Sequence, residues 1–209
     1  MIDVAYFQAR SREAEDVLAA LTTFAESVTG RPCAVRLLPR LDDAIRARIM
    51  ELNDEVFGGR RDVFDARALD EVEEDPDALF LVLEVDGRIE AGVFGYFEEP
   101  IGSIVEDTDF FLDSAMVSAE WQSHGLGEVG GLGVLLLLAL IEDVHRVGVA
   151  VWTDGDVERL VSLYKRFGFV DAVGHGMPPP CLKVTLDDDR VNMWEEALGL
   201  SSRATPTDG

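Results

Sequence analysis

The sequence predicts an α/β (α+β) domain with a mixed, mainly antiparallel central sheet covered by helices on both faces. Three observations predict it. Residues 79–85 and 88–97 are apolar runs joined by the turn pair Asp86-Gly87, the signature of a tight hairpin. Residues 109–118 (DFFLDSAMVS) add a third consecutive strand. Strand and helix then alternate to residue 186, which requires parallel crossovers.

The elements follow in order. Residues 12–28 place Val17, Leu18, Leu21, Phe24 and Val28 at helical spacing, and Gly30-Arg31-Pro32 ends that helix. Residues 34–38 read as a strand. Residues 41–57 read as a helix with Ile45, Ile49, Leu52 and Val56 on one face. The acidic stretch 58–78 reads as loop plus a short helix. After the hairpin, residues 98–107 form a loop and 109–118 a strand. A glycine-rich segment then opens a helix running to about Val147. Residues 149–152 make a strand, 157–167 a helix, 169–173 and 181–186 two more strands around the loop 174–180, and 189–200 an amphipathic helix. The tail 201–209 (SSRATPTDG) reads as disordered. The domain expectation is a strand and helix extension over 1–32, a main domain over 33–186, and a helix and tail over 187–209.

Composition narrows the function. The 209 residues hold 47% hydrophobic and 28% charged side chains, a globular balance. The longest apolar run, Val134 to Ile141, is far short of the ~20 residues that a bilayer requires. No basic and then apolar leader opens the chain, so the expected location is cytoplasmic. The net charge is −23, from 18 basic and 41 acidic residues, with Lys165 and Lys183 its only lysines. Nucleic acid and anionic membranes are bound through Lys and Arg, so both are excluded as partners. A cationic small-molecule amine fits the charge, as do simple solubility and adaptation to salt. The oligomeric state is open, a homodimer included. Cys33 and Cys181 have no metal or redox spacing and read as reduced thiols; no metal site is expected.

The segment 121–144 (WQSHGLGEVGGLGVLLLLALIEDV) poses the sharpest question. It places glycine at 125, 127, 130, 131 and 133, ahead of eight aliphatic residues. A mid-helix glycine costs ~1 kcal/mol relative to alanine. One answer is anion binding: the first amides of a helix have no partner within it, and glycines let a phosphate approach them. The other is close packing of the helix on the sheet, the alternative for Gly130, Gly131 and Gly133. Residues 125–130 also match G-x-G-x-x-G, the dinucleotide fingerprint, but they follow several antiparallel strands and not a first strand–helix–strand unit.

Val117 to Gly127 resembles the acyl-CoA segment of the GCN5-related N-acetyltransferase (GNAT) family, with Gln122, Gly125 and Gly127 on the family pattern. Leu163-Tyr164-Lys165-Arg166-Phe167-Gly168-Phe169 looks like its second signature. The resemblance spans residues 33–186. It implies a GNAT-like sheet, acetyl-CoA as co-substrate, and direct acyl transfer to a primary amine. It further implies that backbone groups of Met116 and Val117 bond the pantetheine arm. The amides of Gln122, Ser123, His124, Gly125, Leu126 and Gly127 would hold the pyrophosphate, and Tyr164 would serve as the acid for the departing thiolate. Ser123 and His124 stand where the family usually carries Arg or Lys, leaving His124, Arg159, Lys165 and Arg166 as candidate cations. Asp156 and Val157 stand where an Asn is frequent.

Asp113 is a carboxylate in an otherwise apolar strand. Alternation places it on one face with Phe111 and Ala115, as a candidate general base, a substrate anchor or a solvent-facing acid. Glu98, Glu99 and Asp107 flank the same region. Ser123-His124 lacks the third member of a nucleophile triad, and His145 reads as a residue near a helix end. Leu52 to Gly58 and Ala115 to Ser118 look most like the aminoglycoside N-acetyltransferases. The rivals are a non-catalytic acyl-CoA-binding or protein-interaction module on the same fold, and a dinucleotide-binding domain.

Overall fold

A computed structural model describes residues 1–58, 66–99, 101–151, 157–176 and 180–200. Trp152 and Asp156, part of the loop 174–180, the start of the acidic stretch and the tail 201–209 lie outside the described residues.

After a 3-10 segment, Val4–Arg10, the chain forms α1 (Ser11–Thr29), β1 (Cys33–Leu37), α2 (Asp43–Phe57) and α3 (Ala66–Glu74). The meander β2 (Leu79–Val85), β3 (Arg88–Phe97) and β4 (Phe110–Val117) follows. It leads into α4 (Leu126–Leu138), β5 (Arg146–Ala150), α5 (Val157–Arg166), β6 (Val170–Ala172), β7 (Cys181–Thr185) and α6 (Asp188–Ala197). The seven strands lie in the order β1-β2-β3-β4-β5-β7-β6, and β4–β5 is the parallel pair. The mixed, mainly antiparallel sheet is therefore as the sequence predicts.

Local chemistry sets the boundaries. The β2–β3 turn uses positive φ at both Asp86 (52°) and Gly87 (80°), a turn whose twist matches the flanking strands. Asp42 caps α2 by accepting a hydrogen bond from the Ile45 amide at 2.8 Å, and Asp187 caps α6 through the Arg190 amide at 3.0 Å.

Helices cover both faces of the sheet. On one face α1 and α4 pack Val17, Leu21, Leu132 and Leu136 against Leu79, Leu81, Leu83 and Val93, with α5 and α6 alongside. On the other, α2 and α3 pack Ile49, Leu52, Leu69 and Val72 against Phe80, Val82, Phe94 and Met116. Double coverage explains why β2 reads LFLVL without polar alternation. Residues 1–32 share the first of these cores, through Ile2, Phe7, Ala14, Val17, Leu21 and Ala25, and carry the 3-10 segment where a strand was expected.

Three expectations change. The glycine-led helix ends at Leu138, not near Val147. Leu140 and Ile141 bond back three residues, to Leu137 and Leu138, which tightens and stops the helix. Asp109 then accepts the amides of His145 and Arg146, at 3.0 and 2.9 Å, and so fixes the start of β5. His145 accordingly lies at a strand entrance, away from the helix end. The third change concerns β4: Phe94 pairs with Ser114 but Gly95 with Leu112, so Asp113 is the extra residue of a β-bulge. Beyond the bulge the facing inverts. Ala115 pairs with Val93, on the α1/α4 face, and does not share the face of Phe111 and Asp113.

The glycines of α4 divide by position. A Cβ at Gly133 would lie 2.7 Å from Leu81 and 2.9 Å from Leu21, at Gly130 3.0 Å from Val93, and at Gly131 3.0 Å from Phe167. These three let α4 sit against the sheet, α1 and α5. Gly125 does something else: it caps α4 in the left-handed conformation, φ 83°.

Candidate functional site

The sheet opens at its centre. β4 and β5 pair only from Phe110 to Leu112, opposite Val147 to Val149. Past that point Ser114 to Val117 pair only with β3 and Asp113 bulges out of the ladder, while Val149 and Ala150 bond to β7. The five unpaired residues of β4 border a gap of roughly 16 Å at ~3.3 Å per residue. Met116 and Val117 line its end.

The loop from β4 to α4 closes over that end. Ser118 accepts hydrogen bonds from the Trp121 and Gln122 amides at 2.9 and 3.1 Å, and Trp121 from the His124 amide at 3.0 Å. The Gln122 side-chain amide donates to the Val117 carbonyl at 3.1 Å, tying the loop to the strand. The N–H groups of Gln122 and His124 are therefore engaged within the loop. Those of Ser123, Gly125, Leu126 and Gly127 have no acceptor among the described residues. They sit at the N-terminal end of α4, where the helix dipole favours negative charge. The Gly127 position is open, with Val117 3.5 Å from where a Cβ would lie. The amides left without an acceptor are thus fewer than the six the resemblance implies, since those of Gln122 and His124 are taken within the loop. His124 sets its ring edge-on to Trp121 at 5.2 Å, and Ser123 Oγ lies 3.4 Å from its Nδ1.

On the α2/α3 face, a cleft of about 320 Å³ is lined by Ala68, Glu71, Val72, Asp75, Phe94, Tyr96 and Asp113. The bulge aims Asp113 into it. The Asp113 carboxylate reaches solvent through the cleft, yet the walls around it desolvate it and push its pKa up to about 6. It has no hydrogen-bond or ion-pair partner among the described residues. Tyr96 is pushed above the usual phenol range, by desolvation first and then by the charges of Asp113 and Glu98. Its ring lies 5.8 Å from that of Phe111.

Tyr164 is on the opposite face, half-buried on the core that α4 shares with α5, with its ring edge-on to Phe169 at 5.3 Å. Burial raises its pKa to about 12, and its hydroxyl has no partner among the described residues. No described contact joins Tyr164 to Asp113. Of the other candidates, Glu98 closes the 98–108 loop by accepting from the Ile104 amide at 2.9 Å and from Thr108 at 3.3 Å. Asp107 pairs with Arg146 and Lys183, and Lys165 with Asp171.

Glu71, Asp75 and Tyr96 are the site residues that the sequence did not single out. Glu71 and Asp75 lie in the run DEVEEDPD, which shows charge but no fold-defining pattern until α3 packs Leu69 and Val72 inward. The one usable signal was their i, i+4 spacing, with Glu71 on α3 and Asp75 just past its end.

No protein-family model matches the sequence, and no curated protein matches it. Solved structures match the fold. The GNAT-family N-acetyltransferase YhbS from Escherichia coli, in complex with CoA, aligns with TM-score 0.57 over 83% of this chain and 96% of its own, at 21% identity. The ribosomal-protein-S18-alanine N-acetyltransferase from Escherichia coli aligns with TM-score 0.56 over 73% and 94%, at 12% identity. Arabidopsis thaliana NAA60, in complex with a bisubstrate analogue, gives 0.54 over 73% and 98%, at 12% identity. The chain has the fold of these acetyltransferases.

Proposed function

We propose that this chain is an acetyl-CoA-dependent N-acetyltransferase that acts by direct transfer to the primary amine of a cationic small molecule. The observation that carries this reading is the set of free amides at Ser123, Gly125, Leu126 and Gly127, placed at the mouth of the gap between β4 and β5. Four donors without acceptors among the described residues, at a helix N-terminus, suit a pyrophosphate, and the edge of Met116 and Val117 turned away from β3 suits the amide groups of a pantetheine arm. The fold likeness supports CoA as the ligand, since YhbS is described in complex with CoA.

Acetyl-CoA supplies an acyl group activated as a thioester. The chain supplies two proton sites. Asp113, in the acidic cleft, accepts the proton that the amine must lose before it can attack. Tyr164, on the opposite face, keeps its proton at every physiological pH because burial holds it near 12. Full transfer to a thiolate whose conjugate acid has a pKa near ~8.5 is uphill, so Tyr164 acts chiefly as a hydrogen-bond donor to the sulfur. Tyr164→Phe removes that donor alone. It should lower kcat ~10-fold or more with CoA affinity little changed, and an unchanged kcat removes Tyr164 from the mechanism.

The carboxylates of Glu71, Asp75 and Asp113, between the apolar walls of Val72 and Phe94, favour an alkyl ammonium as acceptor. Polyamines and aminoglycosides head the panel. Isothermal titration with CoA, followed by thiol release from acetyl-CoA with that panel, tests the proposal. Binding with turnover supports the enzyme; binding without turnover on any amine supports the acyl-CoA-binding module. No heat at millimolar CoA refutes both. A dinucleotide reading of residues 125–130 is disfavoured because Gly130 faces Val93 in the core and not the loop.

A further inference from the structure

We infer that Glu55 is a positioning residue for the cofactor loop: its carboxylate holds the strand-to-helix loop in the form that presents the free amides. This rests on the reading of that loop as the CoA site.

The Ala119 amide donates to Glu55 Oε1 at 2.7 Å, across 64 residues of sequence. The preceding amide, Ser118, donates to the Glu90 carbonyl at 2.8 Å. Glu90 in turn is clasped by Arg48 of α2, whose guanidinium reaches the Glu90 carboxylate at 3.1 Å and the Ile89 carbonyl at 2.7 Å. The first two amides of the loop are thus fixed by α2 or by the strand that α2 grips. The amides at 123, 125, 126 and 127, further along, have no acceptor among the described residues. A loop anchored at its entrance and capped at its exit by Gly125 can aim those N–H groups without a ligand present.

The charge of Glu55 argues for positioning over binding. A carboxylate beside a phosphate site repels the phosphate, so the residue is useful there only through the hydrogen bond it accepts. That separates two variants. Glu55→Ala loses the bond. Glu55→Gln keeps an acceptor oxygen and sheds the charge.

The test is CoA titration of wild type, Glu55→Ala and Glu55→Gln, with KM for acetyl-CoA, KM for the amine, kcat and melting temperature measured on the same proteins. Glu55→Ala should weaken CoA binding and raise KM for acetyl-CoA ~5- to 10-fold, the scale of one ordinary hydrogen bond at an exposed site. kcat and the amine KM should stay within about twofold, because Asp113 and Tyr164 are untouched. Glu55→Gln should bind CoA at least as tightly as wild type. CoA affinity unchanged in Glu55→Ala overturns the inference. So does Glu55→Gln binding as weakly as Glu55→Ala, or a loss spread equally over all three kinetic constants with a fall in melting temperature. If wild type binds no CoA, the reading of the loop itself fails, which is a different result from a wild type that binds and a Glu55→Ala that binds equally well.

Discussion

Asp113→Asn should lower kcat/KM for amine acetylation at least ~100-fold, the lower end of what a positioned general base contributes, with CoA affinity unchanged. The pH dependence gives the sharper reading. Asp113 must be ionised to take a proton, and its pKa in the empty cleft is about 6. kcat/KM, which reports the free enzyme, should therefore rise with pH through about 6 and level off above it. Once a cationic amine is in the cleft, its charge favours the ionised carboxylate, so the corresponding limb of kcat should move to lower pH. A profile in which both limbs coincide, or an Asp113→Asn enzyme with the wild-type limb, removes Asp113 as the base.

The substitution should also change stability, and the sign follows from the direction of the shift. A carboxyl whose folded pKa is raised above its unfolded value contributes stability at low pH and loses it as pH rises through the folded pKa. Asp113 therefore destabilises the fold above pH 6, and Asp113→Asn should melt higher than wild type at pH 7 and level with it near pH 4. A residue that costs stability in order to stand ionised and unpartnered in a cleft is what a functional role predicts.

Much of this fold is legible in the sequence, and particular residues show why. Asp86-Gly87 announces its turn because so few residue pairs accept positive φ twice. β2 and α1 are legible because their apolar periods are unbroken. The end of α4 is not, since Val134 to Ile141 is one continuous aliphatic run with neither Gly nor Pro to stop it. What stops it is tertiary: Asp109, thirty-odd residues upstream, captures the next strand. The bulge at Asp113 is equally silent, because an extra residue in a strand leaves no mark on composition. The loop that opens α4 was legible through Gly125 and Gly127. Which of its amides are free was not, since that depends on Ser118 and Trp121 accepting the hydrogen bonds of Gln122 and His124. The acidic wall of the cleft was hidden in a chain with 41 acidic residues, where one more cluster carries no information.

Gly95→Ala should be strongly destabilising. Gly95 stands opposite Leu112 at the bulge, and a Cβ there would fall 2.4 Å from the ring of Phe110 and 2.5 Å from the carbonyl oxygen of Phe111. Neither can yield easily. Phe110 is fully buried and held edge-on against Phe97 at 5.2 Å, and the Phe111 oxygen belongs to the strand. Overpacking of this kind costs about 3 kcal/mol or more, which for a chain of this size is a fall of roughly 6–12 °C in melting temperature. Gly92, three residues back along the same strand, makes the comparison: its Cβ would meet the far edge of Phe80 at 3.1 Å, which a small ring tilt relieves, so Gly92→Ala should cost much less. The functional consequence depends on the bulge. If β3 and β4 are forced apart at Gly95, Asp113 loses its aim into the cleft while the loop at Ser123 to Gly127, anchored by Glu55 and Glu90, keeps its geometry. Below the melting transition, kcat should then fall while CoA affinity holds, and equal melting of Gly95→Ala and wild type would place the extra residue of β4 somewhere other than Asp113.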